Sequence, residues 1–317
     1  MRTSFPIFVL TKQGNTWLMV AVQNTLTSGP TVTPVGTAKE ARHEKRDQMT
    51  SVEPISEVAR SADGTSIGFL RLGSGPALLF VHGSLSSGES WLPVATEMGG
   101  RFTCYVMDRR GRGRSGDTAD YSLQRECEDI KAVLQVAGPG AHLLGHSYGA
   151  VCVLEAALRT RIGRMVLYEP ALPVGGTLIG TAYLARERYR AAVASNQLDE
   201  ALTIAMRDMI QARPEEISAL RATPMWNKMA ALTPTWMREM EQLDRLESSP
   251  DRYKQLSMPT LLLVGTATAA HHQVASTALA KTLPNVQTVH LQGQGHRAHL
   301  MASDIFAKEV SNFLLQQ

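Results

Sequence analysis

The chain has 317 residues, 44% hydrophobic and 19% charged, with a formal net charge of +3. These values bound it to one large domain with an insertion or two modest domains, and exclude a wholly disordered chain. Residues 1–48 hold six Lys and Arg against three Asp and Glu, leaving 26 of each in the rest, so the body gives no electrostatic reason for a nucleic-acid partner. No apolar run approaches the roughly eighteen residues of a transmembrane segment. Cys104, Cys127 and Cys152 are too few for a disulfide scaffold and lack metal-site spacing.

The leader contains two short apolar runs, Phe5–Leu10 and Trp17–Val22, then a Ser/Thr/Gly/Pro-rich stretch and the mixed-charge tract Lys39–Asp47. It lacks a basic start, one continuous apolar core and a convincing cleavage site, so it does not read as a secretion signal. Residues 1–48 are expected to be a flexible extension, with Met49 an alternative start and a cytoplasmic location the default. Beyond it, Ile55–Arg60 and Thr65–Leu72 read as strands joined by a turn at Asp63-Gly64. Ala77–Val81 follows as a short buried strand. Then the pattern alternates: helix Trp91–Met98, strand Phe102–Met107, helix Leu123–Val136, strand Ala141–Leu144, helix Tyr148–Leu158 and strand Arg164–Tyr168. It resumes with strand Thr260–Val264, helix Val274–Leu283, strand Val286–Leu291 and helix Ile305–Leu314. This order predicts an α/β fold: a mostly parallel central sheet with helices on both faces, and reactive residues at the carboxyl ends of the strands.

Strand Ala141–Leu144 runs into Gly145-His146-Ser147-Tyr148-Gly149 and then a helix, which is G-x-S-x-G in its strand–turn–helix context. Such a turn holds the serine hydroxyl above the sheet, where a base must activate it. Two further motifs stand at carboxyl ends of strands: His82-Gly83, and Asp108-Arg109-Arg110-Gly111-Arg112-Gly113-Arg114-Ser115. With these three motifs in this order, Ile55–Leu315 resembles the α/β-hydrolase family, in its serine-hydrolase branch with a helical cap. The resemblance implies an oxyanion hole from the backbone amides of Ser84 and Tyr148, and a structural role for the Asp108–Ser115 turn. His82 is read as a loop brace. Arg109 and Arg110 are read as reaching solvent, with recognition of a phosphate or carboxylate the lesser alternative.

The resemblance places the base at His296, after Gly295, and leaves His299 to line the entrance or to pack. The family's usual acid, shortly after the strand at 260–264, is missing: Gly265–His272 contains no carboxylate. Glu169, at the carboxyl end of the preceding strand, is the substitute. Some α/β-hydrolases, including a branch resembling haloalkane dehalogenases, draw the acid from there, although that branch has an aspartate nucleophile where this chain has Ser147. The alternative for Glu169 is a residue that ties down the cap hinge. His271-His272 does not chelate by spacing alone and has no Asp, Glu or Cys near it in sequence, so no metal is expected. No cofactor is expected either.

Almost ninety residues separate Pro170 from the strand at Thr260, too many for a loop. Their helical patterns, Leu178–Val193, Leu198–Ile210, Pro214–Leu220 and Thr235–Leu246, make residues 171–257 a cap inserted between core segments 49–170 and 258–317. Met206, Met225, Trp226, Met229 and Trp236, with His299, are the candidate pocket residues; half of such a set belongs in the cap's own core. The substrate expected is a small to medium, fairly apolar carboxylic ester, cleaved through an acyl-enzyme. Lactone cleavage, carbon–carbon bond hydrolysis, and cofactor-free perhydrolase or haloperoxidase chemistry fit the same machinery. The competing class is a non-catalytic binder of a hydrophobic small molecule.

Overall fold

The computed structural model describes residues 7–13, 16–22, 53–174, 183–210, 212 and 214–316. The chain divides into two compact units, residues 1–50 and 51–317. In the first, β1 (Ile7–Gln13) pairs antiparallel with β2 (Thr16–Val22), so a hairpin stands in the segment expected to be a flexible extension.

The second unit is built on eight strands: β3 (Ile55–Arg60), β4 (Ser66–Gly73), β5 (Ala77–Val81), β6 (Thr103–Met107), β7 (His142–His146), β8 (Met165–Tyr168), β9 (Thr260–Gly265) and β10 (Val286–Leu291). Their spatial order is β10-β9-β8-β7-β5-β6-β4-β3. β4 is antiparallel to both β3 and β6, and every other pairing is parallel. Seven helices of this unit's core and cap follow the chain as α1 (Leu92–Met98), α2 (Leu123–Ala137), α3 (Tyr148–Ala157), α4 (Tyr183–Ala194), α5 (Leu198–Ile204), α6 (Pro214–Arg221) and α7 (Pro224–Ala231). α8 (Thr233–Asp244), α9 (Ala270–Thr282), the single turn α10 (Ala298–Met301) and α11 (Ser303–Leu314) complete it.

Alternation along a strand buries both faces of the sheet. In β5, Leu79 and Val81 join a core with α2 and α3, while Leu78 and Phe80 join another with α1 and α11. The strand order changes direction around β5, which lies between β6 and β7, so the loops leaving β5 and β7 diverge there and open a crevice at their carboxyl ends.

Helices α4–α8 form the cap around an apolar cluster of its own. Residues 178–182 of the first expected cap helix lie outside the described residues, and the second ends in a π-helical turn at Ala205–Met209. The sequence pattern misses α7, although Thr223-Pro224 is a helix-start signal.

Candidate active site

Ser147 sits between β7 and α3 with φ +53° and ψ −121°, a conformation that costs a non-glycine residue on the order of 1–3 kcal/mol. Packing enforces it. A Cβ on Gly145 would come within 2.6 Å of Ala150 Cα, and one on Gly149 within 2.4 Å of the His82 carbonyl. The flanking glycines therefore let β7, α3 and the loop after β5 meet at one point. The Ser147 N–H donates to the Tyr168 carbonyl at 3.0 Å, and its own carbonyl accepts from Ala150 and Ala171 at 3.1 and 3.2 Å. With its main chain fixed this way, the hydroxyl stands part-exposed above the sheet.

His296 lies in the loop after β10, and its Nδ1 is 2.6 Å from Glu169 Oε2. Glu169 is fully buried and, with φ +44°, turns out of β8 immediately beyond the sheet. The Gly265 N–H donates to its Oε1 and the Thr268 hydroxyl to its Oε2, both at 2.8 Å. The end of β9 and the segment after it, which carry no carboxylate of their own, thus supply the donors that hold the carboxylate just beyond β8. Burial pushes the Glu169 carboxyl above its usual range, while the Gly265 N–H, His272 and Thr268 pull the other way. His296 keeps a third of its side chain exposed. Its surroundings nevertheless hold the imidazole well below the ordinary histidine value, first by lost hydration, then by His271 and Arg297. A neutral ring whose Nδ1–H is given to Glu169 presents Nε2 as a proton acceptor; this tautomer is assigned from the carboxylate partner.

The loop carrying His296 is clamped by residues the sequence left without a role. The Tyr168 hydroxyl donates to the Gly295 carbonyl and accepts from the Ala298 N–H at 3.0 Å. His146, the variable residue before Ser147, places Nε2 3.0 Å from the His296 carbonyl, with the two rings 4.4 Å apart. His272 stacks on His296 at 3.9 Å with an interplanar angle of 12°. Glu169, His272 and His296 each offer a donor atom within 4.8 Å of the others. Nearly parallel rings, however, send their in-plane lone pairs alongside one another and not to a common point, so the set does not chelate as it stands.

Among the described residues, the backbone N–H groups of Ser84 and Tyr148 donate to no backbone carbonyl of a turn or loop. His82 braces the loop after β5 against the turn after β6: its Nε2 accepts the Arg109 N–H at 3.1 Å and its Nδ1 lies 2.8 Å from the Gly83 carbonyl. Met206, Trp226, Met229 and Trp236 are buried in the cap cluster, which also takes in Leu85 beside Ser84. Met225 faces solvent instead, 38% exposed. His299 is buried against Trp91, His146 and Phe306 at ring distances of 4.7, 4.6 and 6.4 Å; it packs and does not line an entrance.

Arg109 and Arg110 do not reach solvent; both are fully buried. Arg109 is bonded to Glu126 at 2.7 and 3.1 Å and to Glu239 of α8 at 2.6 Å, and Arg112 pairs with Glu239 as well. Arg110 binds Asp129 through two nitrogens, at 2.7 and 2.8 Å, and Asp63 at 3.1 Å. These guanidiniums are consumed by internal carboxylates, so they are not a substrate-binding basic loop. Asp108 accepts the Gly88 and Arg114 N–H groups at 2.8 and 2.9 Å, which anchors the turn.

The family model described as the alpha/beta hydrolase family matches residues 78–309. N-formylmaleamate deformylase of Pseudomonas putida is 41% identical over 122 residues, covering 37% of this chain and 45% of that protein; the match spans less than half of that relative. 2-(Acetamidomethylene)succinate hydrolase of Mesorhizobium japonicum is 28% identical over 257 residues, 76% of this chain and 89% of that protein. Among solved structures, an alpha/beta hydrolase from Sphaerobacter thermophilus superposes with a TM-score of 0.73 at 32% identity, covering 81% of this chain and 100% of that one. A Rhodococcus esterase, at 22% identity, shares the fold with a TM-score of 0.67, covering 81% of this chain and 98% of that one. From these matches and the nucleophile-elbow geometry, the chain belongs to the alpha/beta hydrolase family.

Proposed function

We propose that this protein hydrolyses a small to medium carboxylic ester through an acyl-enzyme on Ser147. The observation that carries the reading is the 2.6 Å contact from Glu169 to Nδ1 of His296, made beside a serine on a strained elbow. Nε2 of His296 takes the Ser147 proton as the hydroxyl oxygen attacks the carbonyl carbon. The Ser84 and Tyr148 N–H groups receive the negative charge on the carbonyl oxygen. Collapse of the tetrahedral intermediate breaks the bond to the alcohol oxygen, which leaves with the proton from Nε2. Water, activated by the same nitrogen, then releases the acid and restores Ser147. An apolar acyl group is favoured because the cap's apolar cluster extends to Leu85, next to Ser84.

A second reading, an acyl amide carrying a carboxylate, has its own support. Arg297 adjoins His296, and its positive charge acts on that ring. Among the described residues the charge of Glu216 acts on Arg297 in turn, and the two curated relatives described above are named for such amides. Steady-state assays on p-nitrophenyl acetate and butyrate, beside N-formylmaleamate and 2-(acetamidomethylene)succinate, separate the two. Ester turnover that disappears in Ser147→Ala is the expected result. Preference for the amides, lost in Arg297→Gln, would favour the second reading. Folded protein inert toward all four would contradict both.

A further inference from the structure

His272 lies on α9, at the end of the stretch Gly265–His272 that carries no carboxylate. The residue is only 7% exposed, and its Nδ1 finds no hydrogen-bond partner. An unsatisfied buried polar atom costs on the order of 1–3 kcal/mol, more than a side chain serving only to fill space requires. What the ring does contact is specific: it lies flat on His296 at 3.9 Å and 12°. Its other ring neighbour is His271 at 4.1 Å.

A single hydrogen bond from Nδ1 to Glu169 fixes one atom of the imidazole but leaves the ring free to rock about that contact. Rocking swings Nε2 away from Ser147, and a displacement of about 1 Å at a reacting atom can cost on the order of 10²-fold in rate. A flat ring on one face, with His146 tilted at 44° nearby, removes that freedom. We infer that His272 is a positioning residue, a stacked platform that holds the plane of His296 so that Nε2 stays directed at Ser147. This rests on the proposed role of His296 as the base. The end of β9 and the segment after it then contribute to orienting the base in two ways: the donors that hold Glu169, and a ring in place of a charge.

A second consequence concerns acid. Two stacked imidazoles cannot both carry a proton at low cost, because like charges at this separation repel. The groups that act on His272 are His296 from the loop after β10, His271 from its own helix and Glu169 from the end of β8; the first two oppose its protonation and Glu169 favours it. Replacing His272 with an uncharged aromatic ring keeps the platform and removes the competing site. With that repulsion gone His296 takes its proton more readily, so the acid limb of the pH–rate profile moves to higher pH.

The test compares His272→Ala, His272→Gln and His272→Phe in the full chain. Its readouts are kcat and KM on p-nitrophenyl acetate, and the second-order rate at which a fluorophosphonate labels Ser147. Ala and Gln are expected to lower kcat and the labelling rate about tenfold, with KM within about twofold, since the Glu169 contact remains. Phe is expected to recover both to within about threefold of wild type and to shift the acid limb upward. Gln fills the space without a ring, so it reports even where Ala does not fold. Wild-type rates in His272→Gln, or a Phe variant as slow as Gln, would overturn the inference while leaving the hydrolase reading intact. A wild-type protein that neither labels nor turns over would overturn both.

Discussion

Glu169 meets three donors with two oxygens: the Gly265 N–H, the Thr268 hydroxyl and Nδ1 of His296. Removing its charge while keeping its shape isolates the electrostatic part of that arrangement. Glu169→Gln is expected to fold normally and to lose up to about 10⁴ in kcat, with the oxyanion donors sustaining slow turnover. Glu169→Asp should lose less, provided the shorter carboxylate approaches. A Gln variant within about threefold of wild type in steady-state kinetics would leave Glu169 no role in catalysis. The pH dependence follows from the depressed imidazole. His296 remains neutral, and so competent as a base, below the ordinary value of 6.5. The acid limb of kcat/KM should therefore have its midpoint below pH 6.5, and a midpoint above that value would show that the Glu169 carboxylate outweighs the lost hydration at His296.

At the scale of elements, cap and core are joined by an ion network. Glu239 of α8 is fully buried and binds Arg109 and Arg112 from the turn after β6, while Arg109 also holds Glu126 of α2. Glu239→Gln leaves two buried guanidiniums facing one carboxylate. Breaking such a pair from one side costs about 3–5 kcal/mol, a fall in Tm on the order of 10 °C for a domain of this size. Calorimetry showing a fall of less than about 2 °C would mean that the network contributes little. This network also marks where sequence reading stops. The strands, the elbow and the carboxylate at the end of β8 were legible because each is a local pattern: an apolar run, a turn motif, or a polar residue where a strand ends. Arg109 and Arg110 were not, because charged residues in a turn read as solvent-facing, and their partners lie 17 to 130 residues away. His272 was illegible for the same reason. No sequence neighbour reveals Glu169 or His296, which only the parallel pairing of β8, β9 and β10 brings beside it.

For the whole molecule, the dominant titration comes from histidines buried without charge. His271, His272, His296, His146 and His299 form a continuous run of rings, with successive centroids 4.1, 3.9, 4.4 and 4.6 Å apart. These five, with His82 and His142, are all held below the usual histidine value, in each case first by lost hydration. Below pH 6.5 the unfolded chain binds protons that the folded chain refuses, so stability falls as pH decreases. Each such proton is worth about 1.4 kcal/mol per pH unit. Glu169 and Asp129 are shifted upward and offset part of the loss at the lower end of this range. A Tm that declines steadily from pH 6.5 to pH 5 is expected, and a flat Tm across that interval would show that these rings are solvated. The central claim, a serine activated for acyl transfer, is tested most directly by reacting the protein with a fluorophosphonate and locating the adduct by peptide mass spectrometry. The expected result is one adduct per chain on Ser147, absent from a folded Ser147→Ala variant. Folded wild-type protein that takes no adduct, or carries it on another residue with Ser147 unmodified, would contradict the account.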